Sequence, residues 1–423
     1  MAPPPSTPPS STRAERLSWC LFDFANSAYP TVIITAVYVI YFKEVVVGRA
    51  NPGASDRLWG LANSMAEGIL LVISPFLGAI ADHAARKRLF MAGFTWLAVI
   101  ATALLAWTGP GTVALSMALL VAATVGFEGS CVFNNAFLPD LVPKQQMERL
   151  SGAAWALGYL GGLGCLLLIL PIARAHTQWV PLVVAAWFGL FSLPTLLLLR
   201  DRKRPAATSG SGSYLLVGFQ RLRATITNLR AHQALWRFLV AYFFYNNAVV
   251  TIIVFAVAFS RDSLSFTTPE NIALIAVMNV VAAPGALVFG WVAEKIGAKR
   301  CIVLSLFMWL AVVAGAELAA WPGVFSPQGA KACFWGVAAL AALGIGSIQS
   351  TSRTWVGQLT PPERAGEFFG FMGLAGRASA VLGPLIFGLS SDWFDSQRVA
   401  LLSVGLFFLI GLALVLPLES PRS

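Results

Sequence analysis

The chain is built from apolar runs, each about 20 residues or longer, separated by short polar stretches. No other feature restricts the fold as tightly. About 20 residues at 1.5 Å per residue cross the roughly 30 Å hydrocarbon core of a bilayer. In lipid the backbone must satisfy its own hydrogen bonds, so such runs are read as helices. They lie near 18–42, 58–81, 89–108, 112–137, 150–172, 179–199, 235–260, 270–293, 301–321, 331–354, 366–390 and 397–417. Composition agrees: 11% of residues are charged, against about 25% in a soluble domain. The expected fold class is an all-α, multi-pass membrane protein of twelve transmembrane helices.

The longest polar interval, 200–234, splits the runs into two six-helix halves. It begins RDRKRPAATSGSGS, a flexible linker by composition, and continues YLLVGFQRLRATITNLRAH, whose apolar spacing suits an amphipathic helix on the cytoplasmic surface. Residues 1–17 are rich in Pro and Ser and read as a disordered cytoplasmic tail rather than a secretory signal. The expected organisation is that tail, bundles over 18–199 and 235–417 joined by 200–234, and a cytoplasmic tail over 418–423. Lys and Arg gather in alternate loops, which places both termini in the cytoplasm. Topology therefore accounts for the formal net charge of +10 without a nucleic-acid partner.

A repeat supports the division. Residues 78–88, GAIADHAARKR, and 290–300, GWVAEKIGAKR, both give G-x-x-A-[D/E]-x-x-x-x-K-R between the second and third runs of their half. The residues are Gly78, Asp82, Arg86, Lys87 and Arg88, then Gly290, Glu294, Lys299 and Arg300. Glycine lets helices approach, the acid caps or pairs, and the basic cluster anchors the turn at the inner leaflet. These residues, with Arg353, are the expected gate or conformational motif.

Polar residues inside the runs are the candidate site. Ionisable groups there are costly and face a bundle interior. Asp23, Asn26, Ser27 and Pro30 share one helical face in the first run. Glu128, Cys131 and Asn135 share one in the fourth, Tyr242, Tyr245 and Asn246 in the seventh, and Gln349 and Arg353 in the tenth. Glu67 and Arg377 lie in the middle of the second and eleventh. Asp23, Glu67 and Glu128 are candidates to carry a proton. Asp23 and Arg353 fit a cytoplasmic gate as well as a solute contact, whereas Arg377 is deeper and suits a solute or partner contact. Glu317 and Lys331, near the outer ends, read as snorkelling residues.

Several stretches resemble a known family: WCLFDFANSAYPTVIITAVYVIYF, ISPFLGAIAD, FNNAFLPDLVP, GYLGG and GSIQSTSRTWVGQLTPPERAGEFFGF. They are similar to the UMF1, or Atg22-like, branch of the major facilitator superfamily, and the similarity covers the chain after residue 17. The resemblance implies a cavity between the halves, opened alternately to each side. It makes the first and fourth spans of each half cavity-lining, with Asp23, Asn26, Ser27, Glu128, Asn135, Tyr242, Tyr245, Asn246, Gln349 and Arg377 as substrate-binding or lining residues. Fungal members are implicated in exporting amino acids from the vacuole. The compact chain resembles bacterial members, which implies the bacterial cytoplasmic membrane.

The expected function is a secondary transporter that exports a small polar or zwitterionic, amino-acid-like solute, with protons as the coupling partner. The alternative is a lipid or amphipathic cargo on the same fold. An enzyme is not expected: His83, His176 and His232 are isolated, and HExxH, G-x-S-x-G and P-loop motifs are absent. Cys20, Cys131, Cys165, Cys301 and Cys333 form no CxxC pair and read as packing residues, so no metal or cofactor is expected. The partners expected are the solute, the bilayer and protons, with a functional monomer.

Overall fold

A computed structural model describes residues 11–48, 52–84, 86–202, 233–361, 364–394 and 397–419. Nearly all of them are helical. We number the long segments α1 (Arg13–Gly48), α2 (Pro52–Ala84), α3 (Lys87–Leu104), α4 (Val113–Ala136), α5 (Met147–His176) and α6 (Val180–Leu198) in the first half. The second half holds α7 (Gln233–Leu264), α8 (Thr268–Ile296), α9 (Ala298–Ala319), α10 (Pro327–Leu359), α11 (Ala365–Phe394) and α12 (Gln397–Val415). Eleven stretches among the described residues are long and apolar enough to cross a membrane. The helix α2, at the place of the expected second span, is not one of the eleven, although its 33 residues extend about 50 Å at 1.5 Å per residue. The expected amphipathic helix of the linker falls in 203–232, outside the described residues.

The first helix starts earlier than its apolar run. Thr12 caps α1 by accepting from the Glu15 N–H, while the Glu15 side chain accepts from the Thr12 N–H at 2.8 Å. This reciprocal cap satisfies two backbone donors that would otherwise be orphaned. Glu15 is buried and also pairs with Arg202 at 3.3 Å, which ties the start of α1 to the end of α6. Residues 13–17, expected in the tail, are thus helical. Further along, Pro30 lacks an N–H and crowds the preceding turn, and the chain winds through wide π-type turns over Tyr29–Ala36.

The two halves use the same packing scheme. In the first, α1 packs on α5 and α6, α2 on α4, and α3 on α4 and α6. In the second, α7 packs on α11 and α12, α8 on α10, and α9 on α10 and α12. Adding six to each helix number converts one set into the other, so the repeat seen at the turns extends through both bundles. The junction has the same symmetry: α5 meets α8 as α11 meets α2, and α5 meets α10 as α11 meets α4.

Glycines set the closest approaches. A Cβ on Gly161 would stand 2.1 Å from the Phe24 carbonyl oxygen, so GYLGG lets α5 lie flush on α1. Between the halves, a Cβ on Gly152 would be 2.6 Å from the Ala286 carbonyl oxygen and 2.9 Å from Gly290 Cα. The motif glycine Gly290 therefore sits at the α5–α8 crossing, with backbone against backbone.

Candidate functional site

A cavity of about 400 Å³, lined by polar and ionisable side chains among apolar ones, lies between the halves. Its wall includes Asp23, Asn26 and Ser27 from α1, Glu67 from α2, and Glu128, Asn134 and Asn135 from α4. From the second half come Tyr242 and Asn246 of α7, Gln349 and Arg353 of α10, and Arg377 of α11. Tyr245 is not among the lining residues. It is buried, and its hydroxyl bonds to Ser352 Oγ at 2.7 Å inside the second bundle.

Two arginines of the second half reach across to acids of the first. Arg353 is 5% exposed and forms a buried clasp. Its Nη1 donates to Asp23 Oδ2 at 2.8 Å and to Asn135 Oδ1 at 3.4 Å. Its Nε donates to Ser151 Oγ at 2.9 Å, and its Nη2 to the Ser151 carbonyl at 3.0 Å. The guanidinium also lies 4.8 Å from the Trp19 ring and 5.6 Å from the Trp155 ring. Asn134 Nδ2 donates to the other Asp23 oxygen at 3.3 Å. The same edge continues the seal, because Gln358 Nε2 donates to the Lys144 carbonyl at 3.0 Å and to Glu148 Oε1 at 3.3 Å.

Arg377 is 6% exposed and forks between two acids. Nη1 meets Glu67 Oε2 at 2.9 Å and Nη2 meets Glu128 Oε2 at 3.0 Å. Both glutamates remain about one-third exposed, at 34% and 33% of the side chain. The buried Nε of Arg377 has no acceptor among the described residues. Nearby, Asn246 donates to Ser379 Oγ at 2.5 Å and accepts from Gln349 Nε2 at 3.3 Å. Asn26 Nδ2 donates to Cys131 Sγ at 3.7 Å.

The turn motif makes an equivalent contact in each half. Lys87 Nζ pairs with Asp140 Oδ2 at 3.1 Å, and Arg88 Nη1 donates to the Leu199 carbonyl at 3.3 Å at the end of α6. Lys299 Nζ donates to the Leu416 carbonyl at 2.7 Å at the end of α12. Each turn thereby fastens the third helix of its half to the end of the sixth, where exposed helix carbonyls welcome a cation. Arg86, Glu294 and Arg300 are exposed. The surroundings of Gly78 and Asp82 lie outside the described residues. At the other ends of the helices, Glu317 pairs with Arg398 at 3.2 Å and Lys331 with Glu270 at 2.8 Å.

Sequence patterns marked both arginines but did not single out Ser151, Trp19 or Trp155. Ser151 and Trp155 do share a face of α5 at four-residue spacing.

Two bundles related by a repeat, with a polar cavity at their junction, define the facilitator class of membrane transporter. Solved structures agree on the fold. The transporter FucP in its outward conformation matches with a TM-score of 0.73 at 13% identity, over 97% of this chain and 100% of that one. A bacterial homologue of the iron transporter ferroportin, in an outward-facing state, matches with a TM-score of 0.71 at 14% identity, over 95% and 99%. The family model described as "Vacuole effluxer Atg22 like" matches residues 60–423, and the chain belongs to that family. It is 30% identical to the uncharacterized MFS-type transporter YxiO of Bacillus subtilis (strain 168), over 94% of this chain and 93% of the relative. Autophagy-related protein 22 of Yarrowia lipolytica is 26% identical, over 94% and 80%.

Proposed function

We propose that this transporter works by alternating access, exporting a small polar or zwitterionic, amino-acid-like solute with protons as the coupling partner. One observation carries the proposal: Arg377 bridges the halves through two carboxylates that still face the cavity. Interior charges in a membrane protein mark solute or proton paths, and a bridge with partly exposed acids can be opened by either. In this proposal α2 completes a set of twelve spans, both termini are cytoplasmic, the chain works as a monomer and the membrane is the bacterial cytoplasmic one. The Arg353 clasp and the Gly152–Gly290 crossing then close the cytoplasmic side. Asp23 belongs to that gate, and Glu67 and Glu128 are the groups that exchange protons with solute.

A lipid or amphiphile cargo has less support. A second cavity, lined by Phe255, Phe259, Phe334 and Phe387, is almost wholly apolar, but at about 50 Å³ it is far smaller than the polar one. The test is transport of labelled amino acids by the purified chain in proteoliposomes, with and without a pH gradient. Accumulation that follows the gradient is expected. If no amino acid moves under either condition, the proposal fails.

A further inference from the structure

The cavity has a charge imbalance that selects among solutes. Its charged lining is Asp23, Glu67, Glu128, Arg353 and Arg377, which is three acids against two bases. Asp23 and Arg353 neutralise one another in the clasp. What faces the remaining space is one guanidinium held by two carboxylates, a formal excess of one negative charge. Each glutamate gives only Oε2 to Arg377, and its second oxygen has no partner among the described residues.

An anion entering this space would have to take Arg377 from both acids, leaving two carboxylates unpaired. Those two like charges would then share the cavity with no cation between them, which is unfavourable even though each is about one-third exposed. A cation meets the opposite situation. An ammonium can bind the free glutamate oxygens without breaking either arginine contact, and it cancels the excess charge. Aromatic side chains support the same choice, because Phe127, Trp155, Tyr242 and Phe369 line the cavity, and ring faces attract ammonium groups. Arg377 itself is more than nine-tenths buried. Its buried Nε–H lacks an acceptor among the described residues, and an oxygen on the bound solute supplies one after a small shift.

We infer that the cavity binds a small organic cation of net charge +1, with its ammonium between Glu67 and Glu128 and an oxygen acceptor toward Arg377. This rests on the transporter reading and narrows it, because a neutral zwitterion leaves the charge excess uncancelled. Among amino-acid-like solutes it favours a basic amino acid over a neutral or acidic one.

The experiment compares labelled lysine, leucine and glutamate, both as binding to the full chain in detergent and as transport in proteoliposomes. Lysine is expected to bind and move at least tenfold better than leucine, with glutamate inert. Glu67→Gln removes the excess charge, so the lysine-to-leucine preference should collapse by about tenfold. Glu128→Gln makes the same change of charge and serves if the first variant does not fold. Equal or better handling of leucine or glutamate by the unaltered chain overturns the charge assignment while leaving transport intact. Lysine binding without transport keeps the assignment and overturns the transporter reading. Neither binding nor transport of lysine overturns both.

Discussion

Arg353 and Arg377 invite direct comparison. Both belong to the second half, both are nearly buried, and both reach acids of the first half at 2.8–3.0 Å. Their surroundings differ. Arg353 uses Nε, Nη1 and Nη2, on partners from three helices, and its acid, Asp23, is 12% exposed in the side chain. Arg377 has only carboxylates for partners, each about one-third open to the cavity, and leaves Nε without an acceptor. A guanidinium with satisfied donors in a dry wall holds two bodies together. One shared by two acids, each about one-third exposed, can trade a contact with a bound cation while the acids keep a positive charge between them. Residue type alone does not separate a fastener from a ligand; satisfaction and access do.

The comparison can be broken most forcefully at the clasp. Arg353→Met leaves Asp23 charged and buried, which should cost about 3–5 kcal/mol, read as a large drop in the thermal unfolding midpoint of the purified chain. A change as small as that of an exposed charge would remove the fastener role. Gly152→Leu should cost about 1–3 kcal/mol by overpacking, because even its Cβ meets the Ala286 carbonyl at 2.6 Å. It should also push α5 away from the second half, seen as new labelling, by a membrane-impermeant reagent, of a cysteine introduced at Thr354, which is buried on α10 with its hydroxyl donating to the Met147 carbonyl of α5 at 3.4 Å. Unchanged labelling would show that the crossing does not gate access.

Arg377→Lys sharpens the contrast. Lysine keeps the charge but loses the planar fork that reaches two acids at once. Transport should fall more than tenfold, with a smaller loss of stability than Arg353→Lys causes. The reverse ranking would merge the two arginines into one structural class. The smallest effect is expected at Glu270, which precedes the apolar span that begins at Ala273. Hydrogen bonding to Lys331, and to the Thr267 cap, holds its carboxyl down at about 2. A depressed carboxyl contributes stability above its unfolded value of about 4.5 and loses it as pH falls through the folded value. Glu270→Gln should therefore flatten a shallow acid limb between about pH 4.5 and 2 and leave neutral pH almost untouched. A large change at neutral pH would contradict this.

Much of this arrangement was legible in the sequence, for identifiable reasons. Run length marked the helices because a hydrocarbon layer leaves the backbone few alternatives. The G-x-x-A-[D/E]-x-x-x-x-K-R repeat announced two related halves, and their packing follows the same shift of six. Spacings of three and four residues marked Asp23, Asn26, Glu128, Asn246 and Gln349 as polar faces, and all five line the cavity. The helix start at Arg13 was also written locally, in the Thr12–Glu15 cap, but the polar tail around it obscured the signal.

What the sequence could not supply was which acid pairs with which arginine across the halves. Glu67 and Arg377 are separated by 310 residues, and nothing in either neighbourhood names the other. Read alone, Glu67 was a candidate to carry a proton with no partner named, and Tyr245 looked like a cavity residue when its hydroxyl bonds inside its own bundle. The sequence by itself determined a chain of membrane helices in two repeated halves, because hydrophobic length and helical period are local properties. Only the tertiary structure decided which acid each arginine holds and which faces the cavity, because those depend on how two separately folded bundles meet.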